Sequence, residues 1–346
     1  MKLAETPAVV PEQPQDNASD LLARRVQETP DRPLFALPNG DEWTELTAAE
    51  FEKRVIALAK GLAASGINPG DKIGFICRTR YEWSLVDFAI WYAGAVMVPV
   101  YETSSPSQIH WIMENSGAES IIIESLEHFD RFDEVHPELP AVKTVWQMHT
   151  GDLDKLVQAG VDIPDEEIER RRNLAVGSDI ATLIYTSGST GRPRGVVLTH
   201  SNFTELSRNA AFGLSEVVRE PGASTLLFVT LAHVFARFIS VLAVHSGVKV
   251  GHQPDTSKLV PSMGTFKPTF LLAVPRVFEK VYNSAEQKAE GGGKGKIFRW
   301  AAKVAVDHSK AVQEGSVPFG LQMKFKVAES LVLNKLKVAL GGRVKY

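Results

Sequence analysis

The sequence has one cysteine, no long hydrophobic run and little net charge. A single cysteine, Cys77, excludes an internal disulfide and a cysteine-based metal site, which fits a reducing compartment. We expect Cys77 to be a small core residue. The longest apolar run, residues 88–101, is interrupted by Gly94 and Pro99 and is too short to cross a bilayer. With no hydrophobic signal segment at the amino terminus, we expect a cytoplasmic protein.

The net charge of −3 conceals a division along the chain. Residues 294–346 carry eleven Lys and Arg against three acidic residues, a balance of +8, so residues 1–293 carry −11. Apolar and basic positions alternate with helical spacing over 294–314, and a second helix is expected near 320–340. The pair is interpreted as ordinary surface helices or, alternatively, as a membrane contact attracted to anionic lipid. No base-stacking aromatics accompany the charge, so we expect no nucleic-acid partner.

Two common phosphate-binding motifs are also missing. The sequence contains no G-x-x-x-x-G-K-[ST], and no G-x-G-x-x-G opens a helix after a strand. The Gly-Lys cluster at 291–296 has no strand before it and is interpreted as a flexible linker.

A different anion-binding stretch is present at residues 185–196, Tyr-Thr-Ser-Gly-Ser-Thr-Gly-Arg-Pro-Arg-Gly-Val. It lies between a predicted buried strand at 180–184 and a second strand at 196–199, with a helix opening near Asn202. Its glycines permit positive φ, and consecutive N–H groups can form a concave site for phosphate oxygens. Arg192 and Arg194 add positive charge. The alternative is a polar surface turn. The predicted phosphate-binding residues are Thr186, Ser187, Gly188, Ser189, Thr190, Gly191, Arg194 and Gly195.

Repeated strand–helix alternation continues on both sides of this stretch from about Asp20 onward. Near-continuous apolar strands predict an α/β fold with parallel β-sheets flanked by helices. We expect a disordered tail at 1–18, a first αβ subdomain at 19–175 and a second, carrying the phosphate loop, at 176–346. Ligands in such folds bind at the carboxyl ends of strands. The loop, His233 and Arg276 each follow a predicted strand, at 180–184, 225–231 and 269–274 respectively.

The stretch 185–195 resembles the signature loop of the adenylate-forming superfamily, which includes acyl-CoA ligases and luciferases. Residues 101–108, 231–237 and 274–282 resemble the corresponding segments of long-chain fatty-acyl-CoA ligases. The resemblance extends from about residue 20 to the end of the chain. It implies the N-terminal domain of the acyl-CoA ligase/luciferase-like fold, with the C-terminal domain absent from this chain.

The resemblance also implies a reaction. A fatty acid carboxylate attacks the α-phosphate of ATP to give acyl-AMP, and coenzyme A then displaces AMP to give the thioester. It assigns phosphate binding to the loop with Mg²⁺ shared among the phosphates. Thr190 is then a catalytic and metal-binding residue, His233 lies near the acyl carboxylate, and Arg276 is a substrate-binding candidate. Four aromatic residues could line an acyl tunnel or belong to the core: Trp91, Trp111, Phe235 and Phe238.

Some positions depart from the family pattern. Arg194 stands where lysine is usual, Thr230 where proline is frequent and Ala236 where an acidic residue is frequent. The family elements expected after the signature loop's domain were not found, so we expect a piece of a longer enzyme that is inactive alone. Two alternatives remain open: a fatty acyl-AMP ligase that loads a carrier protein, and a non-catalytic nucleotide-binding or scaffolding module.

Overall fold

A computed structural model of the chain describes residues 9–40, 42–186 and 192–346, except for the side chains of Arg276 and Lys280. The chain forms two compact units, of which the first ends at Pro254 and the second spans Asp255–Tyr346. The boundary expected near residue 175 stays a prediction, although strands from both sides of it share each of the two sheets of the first unit.

All strands of the described chain lie in the first unit. They are β1 (Pro33–Asn39), β2 (Glu42–Thr47), β3 (Lys72–Ile76), β4 (Val96–Val100), β5 (Ser120–Ile123), β6 (Thr144–Gln147), β7 (Ile180–Thr186), β8 (Arg194–Thr199), β9 (Ser224–Leu227) and β10 (Lys249–His252).

Ten α-helices accompany these strands in the described part of the first unit. They are α1 (Ser19–Glu28), α2 (Ala48–Ala64), α3 (Tyr81–Tyr92), α4 (Pro106–Ser116), α5 (Leu126–Asp133), α6 (Asp152–Ala159), α7 (Asp165–Arg172), α8 (His200–Gly213), α9 (Ser215–Val218) and α10 (Val234–Ser246). The predicted alternation of strand and helix is therefore confirmed. The segment after β5 contributes α5–α7 and the edge strand β6.

The strands form a four-stranded sheet, in the order β2-β1-β10-β9, and a six-stranded sheet, in the order β6-β5-β3-β4-β7-β8. Most neighbours are parallel, as expected from their buried apolar sequences. The pairs β1–β2 and β7–β8 are antiparallel, so the sheets are mixed. The physical reason is the short connection within each pair, because a parallel pair needs a long crossover.

Several helices begin where the sequence supplies a side-chain cap. The hydroxyl of Thr47 accepts the Glu50 backbone N–H while the Glu50 carboxylate accepts the Thr47 N–H, which forms a capping box at the start of α2. Ser105 and Gln108 form the same reciprocal pair at the start of α4, with Pro106 in the first turn. These local signals make the helix starts readable from sequence.

Residues 9–18 belong to the tail that we expect to be disordered, and the structure describes them, whereas residues 1–8 lie outside the described residues. Residues 13–18 contact the body of the unit, and Asn17 is buried. The Asn17 amide donates hydrogen bonds to the carbonyl oxygens of Arg172 (2.9 Å) and Ala175 (3.0 Å). These long-range polar contacts hold a segment whose composition is typical of a tail.

The second unit is helical in its described residues. Its α-helices are α11 (Leu259–Phe266), α12 (Pro275–Gly291), α13 (Gly295–Gln313), α14 (Phe319–Ala328) and α15 (Asn334–Ala339), with a π-helical turn at Glu329–Leu333 between the last two. The strand predicted at 269–274 is not formed. The backbone there pairs instead with the last residues, where Lys345 N–H donates to Thr269 O and Leu271 N–H to Tyr346 O.

Candidate active site

The stretch predicted to bind phosphate leaves the six-stranded sheet at the end of β7 and returns in β8. Thr186 pairs with Arg194 across this hairpin, and both side chains are exposed at the end where the loop begins and returns. Five of the predicted phosphate-binding residues lie outside the described residues: Ser187, Gly188, Ser189, Thr190 and Gly191. The structure therefore places the two ends of the loop, and the roles assigned to Thr190 stay predictions.

Tyr185 anchors the amino-terminal side of the loop in the core. Its ring is buried, and its hydroxyl donates a 2.7 Å hydrogen bond to Asn115 Oδ1 on α4. Burial raises the pKa of the Tyr185 phenol, which keeps it a neutral donor. A Cβ on Gly195 would lie 3.1 Å from Tyr185 Cζ. Glycine at 195 therefore allows a close strand-to-ring contact, in addition to the proposed approach to a ligand.

Trp111 of α4 holds the carboxyl-terminal side of the loop. Its indole Nε1 donates a 2.8 Å hydrogen bond to the Pro193 carbonyl, and the Arg192 guanidinium lies 4.7 Å from its ring centroid. Cation–π contacts of this kind restrain an arginine. The interpretation of Trp111 as tunnel lining or core stays a prediction, and the structure adds a contact that supports the hairpin.

Side chains join the carboxyl ends of strands from the two sheets. The Thr230 hydroxyl, after β9, donates a 2.9 Å hydrogen bond to Glu102 Oε2, after β4. The Thr79 hydroxyl, after β3, donates to the Val229 carbonyl at 2.8 Å. Because β7 lies next to β4 in parallel, its carboxyl end faces the same edge. The edge predicted to bind ligand is thus assembled from β3, β4, β7 and β9.

His233 begins α10 immediately after this linked segment. Its Nδ1 accepts the backbone N–H of Phe235 at 3.3 Å, and the residue is exposed. With Nδ1 used as an acceptor, a neutral ring carries its proton on Nε2. That nitrogen is then a donor suited to a carboxylate or phosphate oxygen. The prediction that His233 follows a strand toward the carboxyl edge is compatible with this placement, and its catalytic role stays a prediction.

Arg237, one helical turn after His233, is the charged residue that sequence reasoning did not single out. It is fully buried, and its guanidinium donates to both carboxylate oxygens of Asp87 on α3, at 2.9 and 2.5 Å. A third donation reaches the Thr182 hydroxyl of β7 at 2.7 Å. The signal was an arginine in an apolar helix, which demands a buried carboxylate.

The other predicted residues are Arg276 and three of the aromatic candidates for an acyl tunnel. Arg276 is the second residue of α12, in the second unit, and its side chain lies outside the described part of the chain. Trp91 and Phe238 are buried, whereas Phe235 is 53% exposed. Trp91 Nε1 donates to the Ala181 carbonyl at 3.0 Å, so this residue braces β7.

A crevice of about 710 Å³ lies at the carboxyl ends of β3, β5 and β6. Its buried Glu124 accepts hydrogen bonds from the Arg78 backbone and guanidinium and lies 3.4 Å from Arg80. Burial acts to raise the pKa of Glu124, and these bonds and charges lower it further than burial raises it. Arg80 also pairs with Glu82 at 2.6 Å. Paired charges therefore stiffen this edge.

Neither a metal cluster nor a membrane-spanning helix is found in the described part of the chain. No group of three or more His, Cys, Asp or Glu side chains is arranged for a metal ion among those residues. None of their helices combines the length and the apolar character needed to cross a bilayer. The lone Cys77 is buried, as expected, and burial raises the pKa of its thiol.

The fold and the loop between β7 and β8 define an adenylate-forming domain. The AMP-binding enzyme family matches residues 22–342, so the chain belongs to that family. Solved structures agree on the fold. The N-terminal domain of FACL13 from Mycobacterium tuberculosis superposes with a TM-score of 0.64 at 22% identity, covering 76% of this chain and 64% of that one. A long-chain-fatty-acid–CoA ligase, FadD1, from Archaeoglobus fulgidus gives 0.68 at 19%, covering 79% and 54%.

Within the family, similar curated sequences include long-chain-fatty-acid–CoA ligases. FadD15 of Mycobacterium tuberculosis is 40% identical over 333 residues, 95% of this chain and 55% of its own length. ACSBG2 of Xenopus laevis is 29% identical over 93% of this chain and 45% of its own length. The chain thus spans about half the length of the curated relatives it matches.

Proposed function

We propose that this chain is the ATP-binding part of an AMP-forming acid–thiol ligase that activates long-chain fatty acids. The observation that carries the proposal is the hairpin of β7 and β8, which brings Thr186 and Arg194 together at the carboxyl edge of a family-matched domain. Similarity to the long-chain-fatty-acid–CoA ligases supports the acid and thiol substrates.

In the proposed reaction the carboxylate of the fatty acid attacks the α-phosphate of ATP, forming acyl-AMP and releasing pyrophosphate. Both reactants are anions, so positive charge and N–H donors must be positioned in advance. The loop residues 186–195 would hold the β- and γ-phosphates, with Mg²⁺ shared among their oxygens and Thr190. Arg194 would grip a phosphate with two parallel hydrogen bonds. The Nε2 of His233 would contact the acyl carboxylate.

Calorimetric titration of the chain with ATP–Mg²⁺ tests the phosphate-binding part of this proposal. Replacement of Arg194 or Thr186 by alanine should each weaken binding by about 1–3 kcal/mol, because hydrogen bonds that involve a charged group are lost. Arg170→Ala, on the exposed face of α7, is the matched control and should bind as the wild type does. Unchanged affinity in Arg194→Ala and Thr186→Ala would favour a scaffolding module instead.

Product analysis of the intact enzyme decides which group accepts the acyl chain. We propose coenzyme A, because the similar curated proteins are CoA ligases. Incubation with palmitate, ATP–Mg²⁺ and either CoA or a pantetheinylated carrier protein should give thioester with CoA alone. Transfer only to the carrier would identify a fatty acyl-AMP ligase.

We further propose that the basic second unit contacts anionic membranes through α14. Phe319, Met323 and Val327 recur every four residues along this helix and are 81%, 46% and 48% exposed. Lys324 and Lys326 lie among them, and residues 294–346 have the net charge of +8 described above. An exposed apolar stripe flanked by lysines is typical of a helix lying in a lipid headgroup region.

Sedimentation with vesicles of phosphatidylglycerol and phosphatidylcholine tests this contact. The wild-type chain should co-sediment at low salt and be released by high salt. Phe319→Ser with Met323→Ser should lose binding, whereas Leu126→Ser, at an exposed apolar position of the first unit, should not. Equal sedimentation of all three proteins would leave α14 as an ordinary surface helix.

A further inference from the structure

The buried guanidinium of Arg237 connects three elements of the first unit. It belongs to α10, forms its paired hydrogen bonds with Asp87 of α3, and donates to the Thr182 hydroxyl of β7. Its planar group also lies 5.1–5.3 Å from the centroids of three aromatic rings: Trp83, Trp91 and Phe203. The guanidinium is therefore restrained both by hydrogen bonds and by contacts with aromatic rings.

Such a site admits little movement of either charged partner. A buried ion pair is tolerated only with good geometry and additional hydrogen bonds, because each charge has been removed from water. Thr182 completes the arrangement. Its hydroxyl accepts from Arg237 at 2.7 Å and donates to the Met97 carbonyl of β4, also at 2.7 Å. Displacing α10 relative to β7 would leave buried polar groups without partners.

Both connected elements lead directly to the candidate active site. His233 lies one helical turn before Arg237, at the start of α10. Thr186, at the exposed end of β7 where the loop begins, lies four residues after Thr182 on the same strand. A connection between Arg237 and Thr182 therefore sets the position of the histidine relative to the base of the phosphate loop.

We propose that Arg237, Asp87 and Thr182 are positioning residues of the ligase, which hold the His233 end of α10 in register with the β7 end of the phosphate loop. The effect on the ligase rests on the function proposed above. The structural connection between α10 and β7 does not. All three residues are buried, so each is proposed to act through its neighbours.

The decisive variant removes the connection while leaving the ion pair in place. Thr182→Val keeps the shape of the side chain but has no hydroxyl, and Thr182→Ser restores the hydroxyl with one methyl less. Thr204→Val, in α8, is the matched control. Thr204 is equally buried, and its hydroxyl has no hydrogen-bond partner among the described residues.

Two measurements are made on each variant of the whole chain: amide hydrogen exchange by mass spectrometry, and calorimetric affinity for ATP–Mg²⁺. In Thr182→Val, exchange in peptides covering 180–186 and 229–236 should accelerate about five- to tenfold, the equivalent of one lost buried hydrogen bond. ATP affinity should fall by a similar factor. Peptides covering β5 and β6 should be unchanged, and Thr182→Ser should restore both values.

The outcomes separate the two proposals. If Thr182→Val exchanges and binds as Thr204→Val does, the positioning inference is wrong, whatever the change in global stability. If the wild type binds no ATP, the proposed function fails, and the exchange rates alone decide whether the connection exists. Faster exchange at 180–186 without any change at 229–236 would also overturn the inference, because the two ends would not be coupled.

Discussion

Helices α10 and α13 carry the same ion-pair chemistry in opposite surroundings. In α10 the guanidinium of Arg237 and the carboxylate of Asp87 are both buried. In α13 the side chain of Arg299 is half exposed and pairs with Glu286 at 3.1 Å and Glu290 at 2.5 Å. Coulombic attraction grows as the dielectric falls, and so does the cost of leaving a charge unpaired. The comparison teaches that burial, rather than the number of pairs, decides which arginine matters to the fold.

The charged side chains of the two units differ in the same way. In the first, charged side chains at the strand ends pair with one another, as Arg78 does with Glu124, and restrict the geometry of the site edge. In the second, lysines stand on exposed helix faces where water and salt screen them. Such charges suit attraction to a partner better than maintenance of the fold.

The largest expected effect comes from removing the buried cation. Arg237→Met should lower the free energy of unfolding by about 3–5 kcal/mol, because the Asp87 carboxylate is left buried without its partner. Urea denaturation followed by circular dichroism measures this. The double variant Asp87→Leu with Arg237→Met removes both charges and should recover much of the loss; failure to recover any would mean that packing around the ring cluster, rather than charge, dominates.

Acid sensitivity should follow next, again from the first unit. His252 is buried against Phe35, and burial lowers its pKa to about 3. Below pH 6.5 His252 binds a proton in the unfolded chain but stays neutral in the folded protein. The free energy of unfolding should therefore fall by about 1.4 kcal/mol per pH unit between pH 6.5 and 3. His252→Phe should remove that contribution and make the acid limb of a stability–pH curve shallower. Parallel curves for the two proteins would contradict the assignment.

A smaller effect is expected where β8 crosses Tyr185. Gly195→Ala introduces a methyl group 3.1 Å from the ring and should cost about 1–3 kcal/mol of unfolding free energy through overpacking. Gly213→Ala, at the end of α8, is the control. The added Cβ would meet no neighbouring heavy atom within 4 Å, so the variant should be neutral or slightly stabilising. Equal effects at both positions would show that the hairpin adjusts freely.

The smallest effect should be at the exposed pair. Arg299→Met leaves two carboxylates in water, so the urea midpoint should not change measurably at moderate salt. The measurement is the same denaturation series used for Arg237→Met, repeated at low and high salt. A loss of unfolding free energy close to that of Arg237→Met would contradict the difference proposed between the two helices.

Much of the fold follows from local signals. The capping pair Thr47 and Glu50 indicates the start of α2, and the apolar run after Lys72 indicates β3. Both signals are readable because they depend on residues that are close in sequence. The strand predicted at 269–274 failed for the opposite reason. Whether an apolar segment becomes a strand depends on what pairs with it along its length, and the backbone hydrogen bonds of Thr269 and Leu271 with Lys345 and Tyr346 are distant contacts that no local pattern reveals.

The candidate site divides in the same way. Glycines, hydroxyls and arginines in one short stretch predict an anion-binding loop without any structure, and a histidine after a strand predicts an edge position. The supports of the loop were not readable. Trp111 offered only an aromatic side chain, and its hydrogen bond to Pro193 depends on α4 packing beside the hairpin.

By itself the sequence determined the family, the alternating elements and the chemical character of the loop, because these depend on residue type and short spacing. Only the tertiary structure decided that Thr230 meets Glu102 and that Arg237 is buried against Asp87. The last partners are 150 residues apart. Contacts at such separation are chosen by the packing of whole elements, and a buried charge finds its counterpart only after those elements have met.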